Sequence, residues 1–155
     1  MLTLHRLTVQ DISLYREWLH MFGAAFDDPD SYTHNQPGDE YIRRVLASDT
    51  FVALAVLKNG SVVGGLAAYE LIKFEQERSE FYIYDLAVLE SERRQGIATA
   101  LIAELQRIAY ERGAYVIFVQ ADTGEEDAAA IALYSKLGVR EQVLHFDLPV
   151  GIKSR

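Results

Sequence analysis

Cysteine is absent from this 155-residue chain, which removes disulfides, thiolate metal sites and any thiol nucleophile from its chemistry. Proline is scarce, and Pro29, Pro37 and Pro149 mark loops. Positive charge is in deficit: 15 Lys and Arg stand against 23 Asp and Glu, a formal net charge of -8. A nucleic-acid binder needs a basic face to neutralise phosphates, so that class is excluded and a cationic partner suits the chain better. No apolar run reaches membrane-spanning length, and residues 1–10 carry charge and alternation where a signal peptide has a continuous apolar region. The chain therefore reads as soluble and cytoplasmic, with no membrane partner. The four histidines, His5, His20, His34 and His145, show no metal-ligand spacing, and no G-x-S-x-G elbow is present for a covalent acyl-enzyme. With no repeat, low-complexity tract or Ser/Gly-rich linker, residues 1–155 read as a single domain.

Half of the residues are apolar, and their periods give the organisation. Leu2 to Leu7 alternates like a first strand. Ile12, Leu14, Tyr15, Trp18, Leu19 and Phe22 give an amphipathic helix over Asp11 to Phe22, with Gly23 as its stop. Ala24 to Glu40 is polar and acidic and reads as an irregular connection, followed by a short helix from Glu40 to Ala47. Thr50 to Leu57 and Ser61 to Leu71 are β-prone runs joined at Asn59-Gly60, a hairpin signal because both residues tolerate positive φ. Phe81 to Val88 is a further strand, Gly96 opens a helix capped by Gly113, and Ala114 to Ala121 is a nearly all-apolar strand. A helix from Asp127 to Gly138 and an alternating strand from Arg140 to Leu148 complete the order. An α/β class follows, a mixed β-sheet covered by helices, because the strands flanked by helices need crossovers and the hairpin strands do not.

Between the Phe81 to Val88 strand and the next helix lies Glu92-Arg93-Arg94-Gln95-Gly96-Ile97-Ala98-Thr99. A helix N-terminus carries unpaired N–H groups and partial positive charge, and a turn entering it is a ready anion site. Gly96 permits close backbone approach, Ala98 and Thr99 are small, and Arg93 and Arg94 add charge. The turn suits a pyrophosphate; taken alone, it is also compatible with a tight turn and solvated arginines.

Arg93-x-x-Gly96-x-Ala98 resembles the (Q/R)-x-x-G-x-(G/A) signature of the GCN5-related N-acetyltransferases, and Asp127 to Val139 resembles that family's later N-x-x-A-x-x-L-Y-x-K-x-G-F motif. Asp127 stands where the family has Asn, and Val139 where it has Phe. The stretches "LAAYELIKFEQERSEFYIYDLAV", "GAYVIFVQAD" and "ALYSKLGVREQVLHFD" are similar to the type-I aminoglycoside 3-N-acetyltransferases, the gentamicin-modifying branch. The resemblance implies the GCN5-related fold, acetyl-coenzyme A as cosubstrate with no metal, and acetyl transfer to the 3-amino group of a 2-deoxystreptamine ring. It implies that residues 93–99 (Arg93, Arg94, Gln95, Gly96, Ile97, Ala98, Thr99), with Asp127, Ala130 and Tyr134, bind the cosubstrate. It also implies that a backbone N–H among Leu86, Ala87 and Val88 stabilises the thioester oxyanion, and that Tyr134 is the general acid. A homodimer through the last strand is a further expectation from relatives.

Attack on a thioester also needs a base, and a carboxylate near the amine serves. Asp85 is a charge inside the apolar strand "FYIYDLAV", and Asp122 closes "VIFVQAD" at the strand edge where α/β folds expose their sites. Either can instead be structural, as an internal ion pair or a turn cap, and Tyr134 shares helical spacing with Ile131 and Leu137. Glu80, Glu125, Glu126 and Asp147, together with Asp85 and Asp122, are the expected contacts of a cationic small-molecule substrate. Acceptors other than an aminoglycoside, a polyamine or a protein amino group, stay open at this stage, as does a non-catalytic acyl-coenzyme A module.

Overall fold

The computed structural model describes residues 1–151, which fall into two compact units, Met1–Gln120 and Ala121–Arg155. In the first, β1 (Leu2–Arg6), β2 (Phe51–Lys58), β3 (Ser61–Ile72), β4 (Ser79–Val88) and β5 (Ala114–Val119) form one sheet in the order β1-β2-β3-β4-β5. Pairing is antiparallel from β1 to β4 and parallel between β4 and β5. The parallel step requires a crossover, and α3 (Ile97–Glu111) supplies it. Asn59 and Gly60, both at positive φ, turn β2 into β3 as the sequence implies. The mixed, helix-flanked sheet is the fold class expected.

The helices α1 (Ile12–Phe26) and α2 (Asp39–Ala47) precede the hairpin, and α1 packs on β3 and β4. Its apolar stripe buries Tyr15, Trp18, Met21 and Phe22. Trp18 lies between the rings of Tyr15 and Phe22, at 5.1 and 5.0 Å, and its Nε1 donates to the Leu54 carbonyl at 2.8 Å. An indole placed this way has both its area and its one polar group satisfied; truncation to alanine would cost about 3–5 kcal/mol. On α3 the buried stripe is Ile97, Leu101, Ile102, Leu105, Ile108 and Ala109, matching the spacing read from sequence.

Several element ends shift by one or two residues from expectation, and three differences bear on the packing. α1 does not stop at Gly23 but runs to Phe26 and ends at Asp27, in the left-handed region at φ 53. The connection expected to be irregular contains a π-helical turn, Asp30–His34, that folds back on α1. A Cβ on Gly23 would lie 2.8 Å from Thr33 Oγ1 and 3.3 Å from Tyr32 Cβ. The glycine is thus a point of close approach inside a helix, and tertiary packing overrides a local cost of about 1 kcal/mol. β4 begins at Ser79, two residues early, because Ser79 pairs with Ile72 and its hydroxyl donates to buried Glu70 at 2.6 Å.

In the second unit, α4 (Ala128–Leu137) follows a single 3-10 turn, Glu125–Asp127. The strand expected over Arg140 to Leu148 does not form: these residues carry no regular structure, and Phe146 and Leu148 are 75% and 82% exposed. Alternation describes a strand's faces, but a strand exists only where a ladder and a covered face accept it.

Candidate active site

The β3–β4 register breaks at one place. Ala67 faces Asp85 and Ala68 faces Ile83, so Tyr84 is an extra residue on β4 and the strand bulges there. Bulges re-aim side chains and interrupt pairing. β4 also loses its other neighbour here, since its last partner on β5 is Val119, opposite Ile83. Residues 85–88 are therefore paired to β3 on one side and, among the described residues, to no strand on the other, an edge of the kind that accepts an extended amide-bearing chain. Leu86, Ala87 and Val88 lie on it.

Asp85 sits at the bulge, half-buried. Among the described residues its carboxylate accepts one hydrogen bond, from the Tyr32 hydroxyl at 2.8 Å, and has no cation within ion-pair distance. Burial pushes its carboxyl above the ordinary range, and the Tyr32 bond acts in the opposite direction. The internal ion pair that sequence alone leaves open is not made. Tyr32, whose own hydroxyl is pushed up by burial and by Asp85, is absent from the residues chosen on sequence. The available signal was an aromatic residue in an otherwise polar, acidic connection.

Past Val88, the chain makes a 3-10 turn, Glu90–Glu92, and enters α3 through Gly96 at φ 78. No side chain caps this N-terminus, so its first N–H groups are open to an anion. Arg94 also holds positive φ, at 67°. Arg93 is fixed by its Nε donating to the Val88 carbonyl at 3.0 Å, which ties the turn to the end of the open edge. Gln95 donates to Glu92, which also pairs with Lys58 at 3.0 Å. Strand edge, carboxylate and uncapped basic turn thus follow one another along one continuous strand–turn–helix. Ile97 is buried beneath it, while Ala98 and Thr99 occupy the first turn.

In the second unit, the Asp127 carboxylate accepts the Asp122 backbone N–H at 2.8 Å and so clasps the loop. Asp122 itself is exposed. Asp127, Ala130 and Tyr134 follow at i, i+3 and i+7, one face of α4 and its entry. Burial, then the Asp127 charge, push the Tyr134 hydroxyl above its ordinary value, so it keeps its proton at neutral pH. Glu125 and Glu126 are exposed on the turn. Asp147 pairs with His145 at 2.9 Å, away from that loop in sequence and fully in solvent. Glu80 is also separate: it lies roughly 17 Å along β4 from Asp85, bound to Lys73 at 3.3 Å and to the Tyr115 hydroxyl at 2.7 Å. Those two partners hold its carboxyl below the usual range.

A bulged strand with an open edge runs through a basic glycine turn into an uncapped helix N-terminus, an arrangement suited to an extended ligand that ends in an anion. A model of the acetyltransferase (GNAT) family matches residues 12–139, and the chain belongs to that family. It is an acetyl-coenzyme A-dependent N-acetyltransferase. The chain is similar to the aminoglycoside acetyltransferase HMB0005 from an uncultured soil metagenomic sample, at 62% identity over 97% of this chain and 99% of that one, with a TM-score of 0.95. It is also similar to the aminoglycoside acetyltransferase meta-AAC0020, from an uncultured soil metagenomic sample and solved with sisomicin, at 30% identity over 97% of both chains and a TM-score of 0.86. The ribosomal-protein-alanine N-acetyltransferase of Brucella melitensis shares the fold at 22% identity, 97% and 100% coverage and a TM-score of 0.73. No curated protein sequence matches. Among the described residues no helix is long and apolar enough to cross a membrane, and no group of three His, Asp or Glu is placed to hold a metal.

Proposed function

We propose that the protein transfers acetyl from acetyl-coenzyme A to the 3-amino group of a 2-deoxystreptamine aminoglycoside such as gentamicin, a resistance activity, by direct transfer in a ternary complex. The observation that carries the acceptor class is the 62% identity with an aminoglycoside acetyltransferase over 97% of the chain. The ring position and gentamicin rest on the sequence resemblance to the 3-N-acetylating branch.

In this reading the pyrophosphate lies on the N–H groups of residues 94–99, with Arg93 and Arg94 adding charge, and the pantetheine arm pairs with the open edge of β4. A backbone N–H among Leu86, Ala87 and Val88 receives the charge developing on the thioester oxygen. The amine lone pair attacks the carbonyl carbon as its proton passes to a carboxylate, Asp85 or Asp122. The C–S bond then breaks, and the Tyr134 hydroxyl protonates the departing thiolate before recovering a proton from solvent. Asp85 is favoured as base because burial without a cation raises its proton affinity toward that of a working base. Asp127, Ala130 and Tyr134 border the cosubstrate. Glu125, Glu126 and Asp147, with acidic residues of the 24–40 connection, attract the polycation. Of that connection, Asp39 and Asp30 already pair with Arg16 and His34, so Asp27, Asp28 and Glu40 have charge to spare. Glu80, neutralised by Lys73, is the weakest member of the set.

The test is release of coenzyme A thiol with gentamicin, spermidine and a lysine peptide as acceptors, followed by NMR location of the acetyl group. Turnover with gentamicin and acetylation at the 3-amino nitrogen support the reading. A different nitrogen corrects the ring position, whereas turnover confined to spermidine or the peptide refutes the acceptor class.

A further inference from the structure

Among the described residues the Asp85 carboxylate is held by a single side chain, and that side chain is itself held from several sides. Tyr32 donates to Asp85 Oδ2 at 2.8 Å across 53 positions of sequence. Its ring lies 5.8 Å from both Phe22 and Phe26 of α1. Its backbone carbonyl accepts from Gln36 Nε2 at 3.0 Å, and the same amide nitrogen reaches the Arg16 carbonyl at 3.2 Å. Arg16 returns the contact, donating to Gln36 Oε1 at 3.1 Å and to the Pro37 carbonyl at 3.0 Å. Beneath this lies Gly23, whose missing side chain lets Tyr32 and Thr33 settle on α1, with the Asp28 N–H bonded to the Gly23 carbonyl at 2.9 Å. A phenol anchored at ring, backbone and underlying helix presents its hydroxyl in one place.

We propose that Tyr32 is a positioning residue for acetyl transfer: it occupies Oδ2 of Asp85, fixes the carboxylate rotamer and leaves Oδ1 free for the acceptor amine. The inference rests on the reading of Asp85 as the base. It makes the α1–α2 connection, and its seat at Gly23, part of the catalytic apparatus rather than a passive rim.

The surroundings of Asp85 make Tyr32 decisive. Among the described residues the titratable groups around it are tyrosines: Tyr32 from the connection, Tyr69 from β3, and Tyr82 and the adjacent Tyr84 from β4. From β5 comes Phe118, stacked on Tyr82 at 4.8 Å and uncharged. Asp28 bears on Tyr32 from the connection and adds negative charge. Among the described residues nothing cationic offsets burial, so the Tyr32 bond is what favours the ionised carboxylate over the acid. Removing the hydroxyl raises the proton affinity of Asp85 further, and the acidic limb of the kcat profile must move to higher pH.

The experiment uses Tyr32→Phe, which keeps the ring against Phe22 and Phe26, assayed with acetyl-coenzyme A and gentamicin across pH beside Asp85→Asn and the double variant. The expected result is a kcat lower by roughly 10- to 100-fold at neutral pH, an acidic limb displaced upward, and no further loss from Tyr32→Phe in the Asp85→Asn background. If Asp85→Asn is inactive while Tyr32→Phe keeps the parent's kcat and acidic limb, the positioning role is refuted and the base survives. If Asp85→Asn is fully active, the base reading fails and the positioning role with it. Should Tyr32→Phe fold poorly, Gly23→Ala retains the hydroxyl but displaces Tyr32; an upward-shifted limb supports the proposal and a parental profile overturns it.

Discussion

A valine at Gly96 separates the two consequences of the turn that opens α3. Gly96 has φ 78, and a Cβ there would meet nothing within 4 Å, so Gly96→Val has open space around its branch point. Its intrinsic cost is backbone strain, about 1–3 kcal/mol for a residue forced into a sparsely populated region. At this chain length, each kcal/mol lowers Tm by about 2–4 °C, giving a fall of about 2–12 °C. The second consequence falls on the ligand, because the open space around Gly96 is where an anion would reach the uncapped N–H groups of α3. Losing one hydrogen bond to a charged group costs about 1.5–3 kcal/mol, and loss of the helix-terminus field adds about 0.3–1. Together they weaken acetyl-coenzyme A binding by about 20- to 700-fold, at tenfold for each 1.4 kcal/mol. Calorimetric titration with acetyl-coenzyme A measures the loss, and acetyl-pantetheine, which lacks the pyrophosphate, is the control donor. Its KM should stay within about twofold of the parent value, since no phosphate contact is lost. Parental affinity for acetyl-coenzyme A, or an equal loss for both donors, would refute the turn as the phosphate cradle.

Tyr134→Phe keeps the ring and removes the proton, and should lower kcat by roughly 100-fold or more with Tm almost unchanged; unaltered turnover in the folded variant assigns the tyrosine to packing alone. Asp85→Asn should abolish most turnover yet raise Tm at pH 7. Burial holds this carboxyl above its ordinary 3.8, so the folded state is penalised once pH exceeds that value and the penalty is complete above the folded pKa. The gain in Tm should therefore vanish near pH 3, and a gain that persists there would contradict the burial argument. Arg112→Met leaves Glu70, whose side chain is 4% exposed, without its two guanidinium bonds. Its cost of about 3 kcal/mol lowers Tm by about 6–12 °C, while KM for both substrates stays at the parent value; a stable variant would deny the pair its structural role.

What could be read from residue order alone was whatever depends on near neighbours. The Asn59-Gly60 turn, the stripe from Ile97 to Ala109 and the Gly96 turn are set within a few residues, and each is found where its period or turn chemistry places it. Asp85 was legible for a related reason, since a charge among Phe81, Ile83 and Ala87 has to be explained by something nearby. The bulge at Tyr84 was not legible. It is defined by register against β3, and a one-residue shift leaves no clear mark on a strand whose residues, Asp85 apart, are apolar or aromatic on both faces. The segment from Arg140 to Leu148 failed in the opposite direction, with correct alternation and no ladder to join.

Gly23 brings the two kinds of information into conflict. By local rules a glycine after Phe22 ends a helix, and Asp27 at φ 53 is an unlikely place to end one instead. Continuing α1 through Gly23 gives up about 1 kcal/mol of helix propensity, and it places Phe26 one turn beyond Phe22. Both rings are then available to Tyr32, and the absent Cβ lets the π-helical turn approach close enough for its phenol to reach Asp85. If Asp85 is the base proposed above, a displacement near 1 Å would cost about 100-fold in rate, so the contact gives the close approach at Gly23 a functional consequence as well as a structural one. A helix that runs past its own stop signal is therefore accounted for by packing against a segment further along the chain, whose Tyr32 in turn bonds Asp85, 62 residues beyond Gly23.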